Sequence, residues 1–170
     1  MMMHTRIAAM ATTVFCWAFS APAFAISKPY DAIAGVVLKD GAPCFYSTVP
    51  LDAEPPAFMK GGVDLSLFSE SQNAPGYLWE AWFKVWKAPL PNSAASCLRY
   101  GIKSPDKNSR PPKIIPRDNP VSFSFLGEWG RQNVRFCIRK DANGRDYLST
   151  VVRQNGVASC TNVLLNNKKP

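Results

Sequence analysis

Apolar and polar positions alternate along much of this chain. Residues 63–70 read Val-Asp-Leu-Ser-Leu-Phe-Ser-Glu. In residues 121–125, Val121, Phe123 and Phe125 alternate with two serines. Residues 133–140 repeat the pattern with arginines at the polar positions. Because successive side chains of a strand point to opposite faces, this period of two predicts half-buried β-strands.

Turn signals separate these alternating segments. Asp40-Gly41 and Asn155-Gly156 are dipeptides typical of two-residue β-hairpin turns, and Asn143-Gly144 lies in a third turn. We therefore expect an all-β protein, an antiparallel β-sandwich of eight or nine short strands with no convincing helix. The predicted strands are residues 33–39, 44–49, 63–70, 78–87, 96–102, 121–125, 133–140, 147–153 and 157–165.

One segment allows more than one interpretation, and another predicts no regular element. As a strand, residues 78–87 would carry tryptophan on both faces. As a helix, they would align Trp79, Trp82 and Trp86 on one face. The aromatic and β-branched content of the segment favours the strand. Residues 103–120 are rich in proline and basic residues and lack periodicity, which predicts an exposed loop.

The first 25 residues have the order of a secretory signal peptide. A single basic residue, Arg6, precedes an apolar stretch, and the segment closes on Ala23-Phe24-Ala25. Cleavage there leaves residues 26–170 as a single domain without histidine, because His4 is the only histidine. Cys16 lies within the apolar stretch without a small-residue box before it, so we expect a free periplasmic product with no lipid anchor.

The cleaved chain keeps four cysteines, which predict two structural disulfides in an oxidising compartment. They are Cys44, Cys97, Cys137 and Cys160. If the last three strands form a flat meander, Cys137 and Cys160 lie two strand spacings apart, about 9–10 Å, too far to bond. This argues against a Cys137–Cys160 bridge, and hence against Cys44–Cys97, and leaves the other two pairings open.

Composition and motifs favour binding over catalysis. Without histidine no Ser-His-Asp or Cys-His site can form, and no metal or cofactor motif is present. Residues 99–170 carry 14 basic and 5 acidic side chains, which could attract an acidic partner. Nucleic acid is a weaker candidate because the aromatic residues of this half occupy core positions of strands. We therefore expect a non-enzymatic protein with a protein partner and no cofactor.

Candidate contact residues lie in two places. In the 103–120 loop, Arg110, Lys113 and Arg117 surround Ile114, and a proline-stiffened loop loses little entropy on docking. Trp82 or Trp86 could supply an exposed anchor on whichever face of their strand lies outside the core.

Three short motifs carry a family resemblance. Residues 41–45 (GAPCF), 97–101 (CLRYG) and 135–138 (RFCI), followed by a closing hairpin, resemble the periplasmic immunity (lipo)proteins of type VI secretion systems. The resemblance implies a protein that binds and neutralises a secreted toxic effector, and it carries no catalytic residues. The chain departs from many of these proteins in lacking a lipid-attachment motif. Alternative functions are an exported structural, adhesive or adaptor module and, less favoured, an exported hydrolase.

Overall fold

The computed structural model describes residues 30–51, 57–106 and 108–166, so the predicted signal peptide lies outside the described residues. These ranges contain nine strands and one short helix, which confirms the all-β class and the expected number of strands. In chain order they are β1 (Ala32–Lys39), β2 (Ala42–Ser47), α1 (Ala57–Lys60), β3 (Val63–Ser69), β4 (Gly76–Phe83), β5 (Leu98–Arg99), β6 (Val121–Gly127), β7 (Gly130–Lys140), β8 (Asp146–Gln154) and β9 (Val157–Leu164).

All nine strands belong to one mixed sheet. Its order is β4-β3-β6-β7-β1-β2-β5, and β8 pairs with β7 and β9 at the side. Neighbouring strands are antiparallel except β1 and β7, which pair in parallel through Ala32–Gln132 and Ile33–Asn133. The two-sheet sandwich that we expected is therefore not confirmed, because hydrogen bonds link every strand into a single sheet.

The sheet curls around an aromatic core. Phe45 of β2 stacks on Phe123 of β6 with ring centroids 3.7 Å apart, although β7 and β1 separate their strands in the sheet order. Phe136 of β7 joins them at 5.9 Å from Phe45, and all three side chains are fully buried. The inward residues of β3 and β6 complete this core at every second position, as the alternation predicts.

Two hairpin turns form at the predicted dipeptides. Asp40 and Gly41 have φ angles of 52° and 75°, and Asn155 and Gly156 have 50° and 81°. Positive φ at both central residues is the requirement of a type I′ turn, which asparagine, aspartate and glycine tolerate best.

The expectation that Cys137 and Cys160 do not pair is wrong. Cys44 is bonded to Cys97, and Cys137 is bonded to Cys160 with Cα atoms 5.9 Å apart. The pairing of β7 with β8 ends at Cys137 and Ser149, and the register of β8 with β9 shifts just beyond Ser149. The last hairpin therefore bends across β7, and the spacing of a flat meander does not apply.

The segment that allowed both a strand and a helix forms a strand. Residues 78–87 form a strand as far as Phe83, which confirms the strand over the helix. Residues 57–60 form a one-turn helix outside the predicted strands, and Phe58 of that turn is buried against Phe125 at a centroid distance of 4.9 Å.

Candidate functional site

The outer edge of β4 is covered by the chain that follows β5. Arg110 donates its amide to the carbonyl of Glu80 at 2.7 Å and accepts the Glu80 amide at 3.3 Å. Lys113 donates to Leu78 at 2.9 Å, and Asp106 accepts the amide of Lys84. Part of the predicted loop, residues 104–106 and 108–113, is thus an edge segment that protects β4 from pairing with another strand.

Tyr100 fixes the end of this edge segment. Its hydroxyl lies 2.7 Å from the carbonyl oxygen of Lys113 and 2.9 Å from that of Leu78, and it accepts the Lys113 amide at 3.1 Å. Its ring contacts Trp79 edge-on at 5.4 Å. Burial raises the pKa of Tyr100, so the hydroxyl stays protonated and can donate to one of these carbonyls.

Ile114 follows the edge segment and is 93% exposed. Its neighbour Ile115 is partly buried against the core, so the backbone at Ile114 is held on both sides. Beside it lies a hollow of about 240 Å³. Lys113, Ile114, Arg117 and this hollow are called the Ile114 surface below; the other lining residues are Gly41, Ala42, Pro43, Tyr100, Ile115 and Ile138.

Both candidate arginines of this segment are engaged within the molecule. Arg117 donates two hydrogen bonds to Asp146, at 3.1 and 2.8 Å. These bonds, assisted by Lys140, lower the pKa of Asp146 to about 2 despite its partial desolvation. Arg110 forms an ion pair with Glu80 at 2.8 Å and lies over the ring of Tyr77, 4.6 Å from its centroid.

The six predicted contact residues therefore fall into three groups. Lys113, Ile114 and Arg117 lie together at the Ile114 surface. Arg110 and the half-buried Trp82 lie beside the outer face of the sheet. Trp86 is only 7% exposed and packs edge-on against Phe83 at 5.0 Å, so it belongs to the core.

The outer face of β3, β6 and β7 forms a polar groove of about 470 Å³ that the sequence reasoning missed. Strand register places Ser66 of β3, Ser124 of β6 and Asn133 of β7 in one row across its floor. Asp64 lies at one end, where burial and the neighbouring Glu80 raise its pKa. The alternating serines were visible in the sequence, but the rows depend on strand order and register.

At the other end of this groove, Glu70 accepts hydrogen bonds from Arg135 and Arg153, each at 2.7 Å. Burial opposes ionisation of Glu70, but the two arginines outweigh it and hold its pKa below the usual value. Arg153 belongs to β8 and Glu70 follows β3, so this contact also fastens the last hairpin to the main sheet.

The described residues contain neither a metal-binding cluster nor a membrane-spanning helix. Within 30–51, 57–106 and 108–166, no three histidine, cysteine or acidic side chains cluster closely enough to hold a metal ion. No helix in these ranges has the length and apolar character needed to span a membrane.

Comparison with protein-family models, with curated proteins and with solved structures gives no match to this chain. The two disulfides are consistent with an oxidising, exported location.

Proposed function

We propose that this protein is an exported, non-enzymatic binding protein that neutralises a secreted toxic effector by direct contact through the Ile114 surface. The observation that carries the proposal is the 93% exposure of Ile114 on a backbone held by neighbouring contacts. An exposed isoleucine alone is ordinary on a protein surface. Here it stands beside an apolar hollow, so it has the character of an interface anchor.

Preorganisation supports this proposal. The Lys113 amide and the Tyr100 hydroxyl fix the backbone before Ile114, and the Arg117–Asp146 ion pair fixes it afterwards. A partner that docks here orders little additional chain, and a smaller entropic cost favours tight binding. An inhibitor that must occupy another protein's site benefits from such a rigid contact surface.

Charge indicates the kind of partner. Lys113 forms no ion pair with the described residues, and residues 99–170 have 14 basic against 5 acidic side chains. A surface with excess positive charge accelerates association with an acidic partner. We therefore expect the effector to present an acidic patch with an apolar cleft that receives Ile114.

Export is part of the same proposal. The signal-peptide pattern of residues 1–25 would deliver the protein to the periplasm, where disulfides form and where secreted antibacterial effectors act. The resemblance of residues 41–45, 97–101 and 135–138 to periplasmic immunity proteins points to the same function.

The test is a protection assay with the product of the neighbouring reading frame. That product is directed to the periplasm of a sensitive host with and without this protein, and survival is measured. We expect the host to survive the toxic product only when this protein is also present. Continued killing in the presence of the folded protein would overturn the immunity function.

A matched pair of variants tests the surface. Ile114→Glu should weaken binding to the effector by about thirtyfold or more, because a charged group replaces the apolar side chain that the complex would bury. Ile33→Glu changes an isoleucine that is 61% exposed on β1, and it should leave the affinity unchanged. Equal affinities of the two variants would exclude the Ile114 surface as the contact.

A further inference from the structure

A third cavity, partly open to solvent, lies between the end of β4 and residues 102–106. Its volume is about 540 Å³, within the range of small-molecule sites. Apolar side chains of Phe83, Val85, Trp86, Ala88 and Ile102 form much of its lining. It shares no lining residue with the Ile114 surface or with the polar groove.

Three lysines surround this apolar lining, namely Lys84, Lys87 and Lys103. All three are exposed, and none forms an ion pair with a carboxylate in the described part of the chain. The one acidic side chain of the lining, Asp106, accepts the backbone amide of Lys84 at 3.0 Å. The cavity therefore has a positively charged rim.

The arginines of the protein show a different pattern. Of the eight in the described ranges, seven form an ion pair within the molecule; they are Arg99, Arg110, Arg117, Arg135, Arg139, Arg145 and Arg153. Most of the arginine side chains are thereby paired with a carboxylate. The lysines around the cavity have no such partner among the described residues, so this apolar cavity is placed to attract an anion.

Trp86 supplies an independent observation. Its side chain lines the cavity and is 7% exposed, and its Nε1–H is buried without an acceptor among the residues that the structure describes. A buried donor without an acceptor costs free energy, so buried polar groups are nearly always paired. A rotation of the indole that turned Nε1 towards the cavity would let a ligand oxygen accept this hydrogen bond, which would remove that cost.

We propose that this cavity binds an amphiphilic anion, an alkyl chain carrying a carboxylate head group. The chain would pack on Phe83 and Ile102, and the carboxylate would lie among the lysines and accept a hydrogen bond from the Trp86 indole. The size of the cavity, its apolar lining and its uncompensated positive rim together favour such a ligand over a neutral or cationic one.

Calorimetric titration with sodium dodecanoate below its micelle concentration tests the proposal. We expect saturable one-to-one binding to the full protein, and no binding of dodecyltrimethylammonium, which has the same chain and the opposite charge. Binding of both amphiphiles with equal affinity, or of neither, would overturn it. Binding to anionic phospholipid vesicles without binding of dodecanoate would also overturn it, because a membrane surface would then be the ligand.

Charge-matched variants locate the site. Replacing Lys84, Lys87 and Lys103 together with glutamine should weaken dodecanoate binding about tenfold, since each exposed cation contributes modestly. The control replaces Lys39, Lys60 and Arg145 with glutamine and removes the same net charge away from the cavity. Equal affinities of the two triple variants would place the ligand elsewhere and overturn the proposal.

A substitution at Trp86 tests the indole donor. Trp86→Phe keeps an aromatic ring in the cavity wall but removes the N–H, and we expect it to weaken dodecanoate binding several-fold while circular dichroism shows a folded protein. An unchanged affinity would exclude the indole as a donor to the carboxylate.

Discussion

Cys137 on β7 and Cys160 on β9 are joined by a disulfide across a Cα distance of 5.9 Å, although β8 lies between their strands in the sheet order. The bridge is possible because the last hairpin bends after Ser149. Arg139 of β7 supports the same bend, since it donates to the carbonyl of Thr161 at 2.9 Å and also to the side chain of Asn162. The disulfide therefore fastens a bent hairpin onto the long strand β7.

Peptide mapping under non-reducing conditions should confirm both bridges. Cleavage after lysine and arginine should release peptide 40–60 linked to 88–99, and peptide 136–139 linked to 154–168. Mass spectrometry before and after reduction identifies each pair. A linked pair containing Cys44 together with Cys137 or Cys160 would contradict this topology.

Removal of the two bridges should have different costs. The Cys44–Cys97 bridge closes 53 residues and the Cys137–Cys160 bridge closes 23. In the chain-entropy picture, losing the first lowers the free energy of unfolding by about 4 kcal/mol and losing the second by about 3 kcal/mol. Urea denaturation of the two double Cys→Ala variants measures both. A larger loss from Cys137→Ala/Cys160→Ala would mean that strain or contacts in the bent hairpin outweigh loop length.

Local patterns of this sequence predict local structure well. The alternation around Phe123 marks β6, and Asn155-Gly156 marks the last turn, because each depends only on neighbouring residues. The pairing of Cys137 with Cys160 could not be derived in the same way, since it depends on a bend within the hairpin. The flat-sheet assumption placed these two cysteines too far apart.

The same difference between local patterns and tertiary contacts applies to the candidate site. The exposure of Ile114 follows from its place in a polar, proline-rich segment, and the sequence did indicate it. The ion pair of Arg117 with Asp146 joins residues 29 positions apart, and the polar groove needs the register of β3, β6 and β7. Such contacts depend on tertiary structure, which a single sequence does not specify by its periodicity.

Tyr100→Phe should loosen the edge segment along β4. The change removes the hydroxyl that contacts the backbone of Lys113 and Leu78, so we expect a loss of about 1 kcal/mol in the free energy of unfolding. The amide of Arg110, which donates to Glu80, should exchange faster with deuterium. Hydrogen exchange followed by mass spectrometry measures this.

The control for that variant is Tyr77→Phe. Tyr77 is 39% exposed, and its ring contacts Phe68 edge-on at 5.3 Å, which phenylalanine preserves. Its exchange pattern along β4 should match that of the unchanged protein. Slow exchange of the Arg110 amide in both variants would show that the Tyr100 hydroxyl does not hold the edge segment.

Glu70 should make stability depend on acid pH. Its pKa is lowered below the usual 4.5 in the folded protein, so its contribution is complete above the unfolded pKa and is lost as the pH falls through the folded pKa. The Glu70→Gln variant lacks this carboxylate. We expect it to be less stable by about 1 kcal/mol at pH 7, and the difference should shrink below about pH 4.5.

Urea denaturation between pH 7 and pH 3 measures the effect of Glu70. Glu128→Gln is the control, because Glu128 is exposed and forms no ion pair within the described ranges. Its stability difference from the unchanged protein should be small at every pH. A Glu70→Gln difference that stayed constant down to pH 3 would show that the carboxylate contributes no pH-dependent stability.

Gly127→Ala should destabilise the packing of α1 on β6. A Cβ at Gly127 would overlap the carbonyl oxygen of Phe58, which accepts the Glu128 amide at 3.0 Å, and it would also crowd the buried Phe58 ring. The backbone at Gly127 has no positive φ, so alanine can adopt its conformation. Without the overlap, alanine would stabilise the protein because it lowers the conformational entropy of the unfolded chain. The sign of the change in the free energy of unfolding therefore decides between the two effects.

We expect Gly127→Ala to lower the free energy of unfolding by about 2 kcal/mol, measured by thermal or urea denaturation. The control is Ser124→Ala on the outward face of the same strand, which should change stability by less than about 0.5 kcal/mol. A more stable Gly127→Ala variant would show that α1 can move away from β6 at little cost.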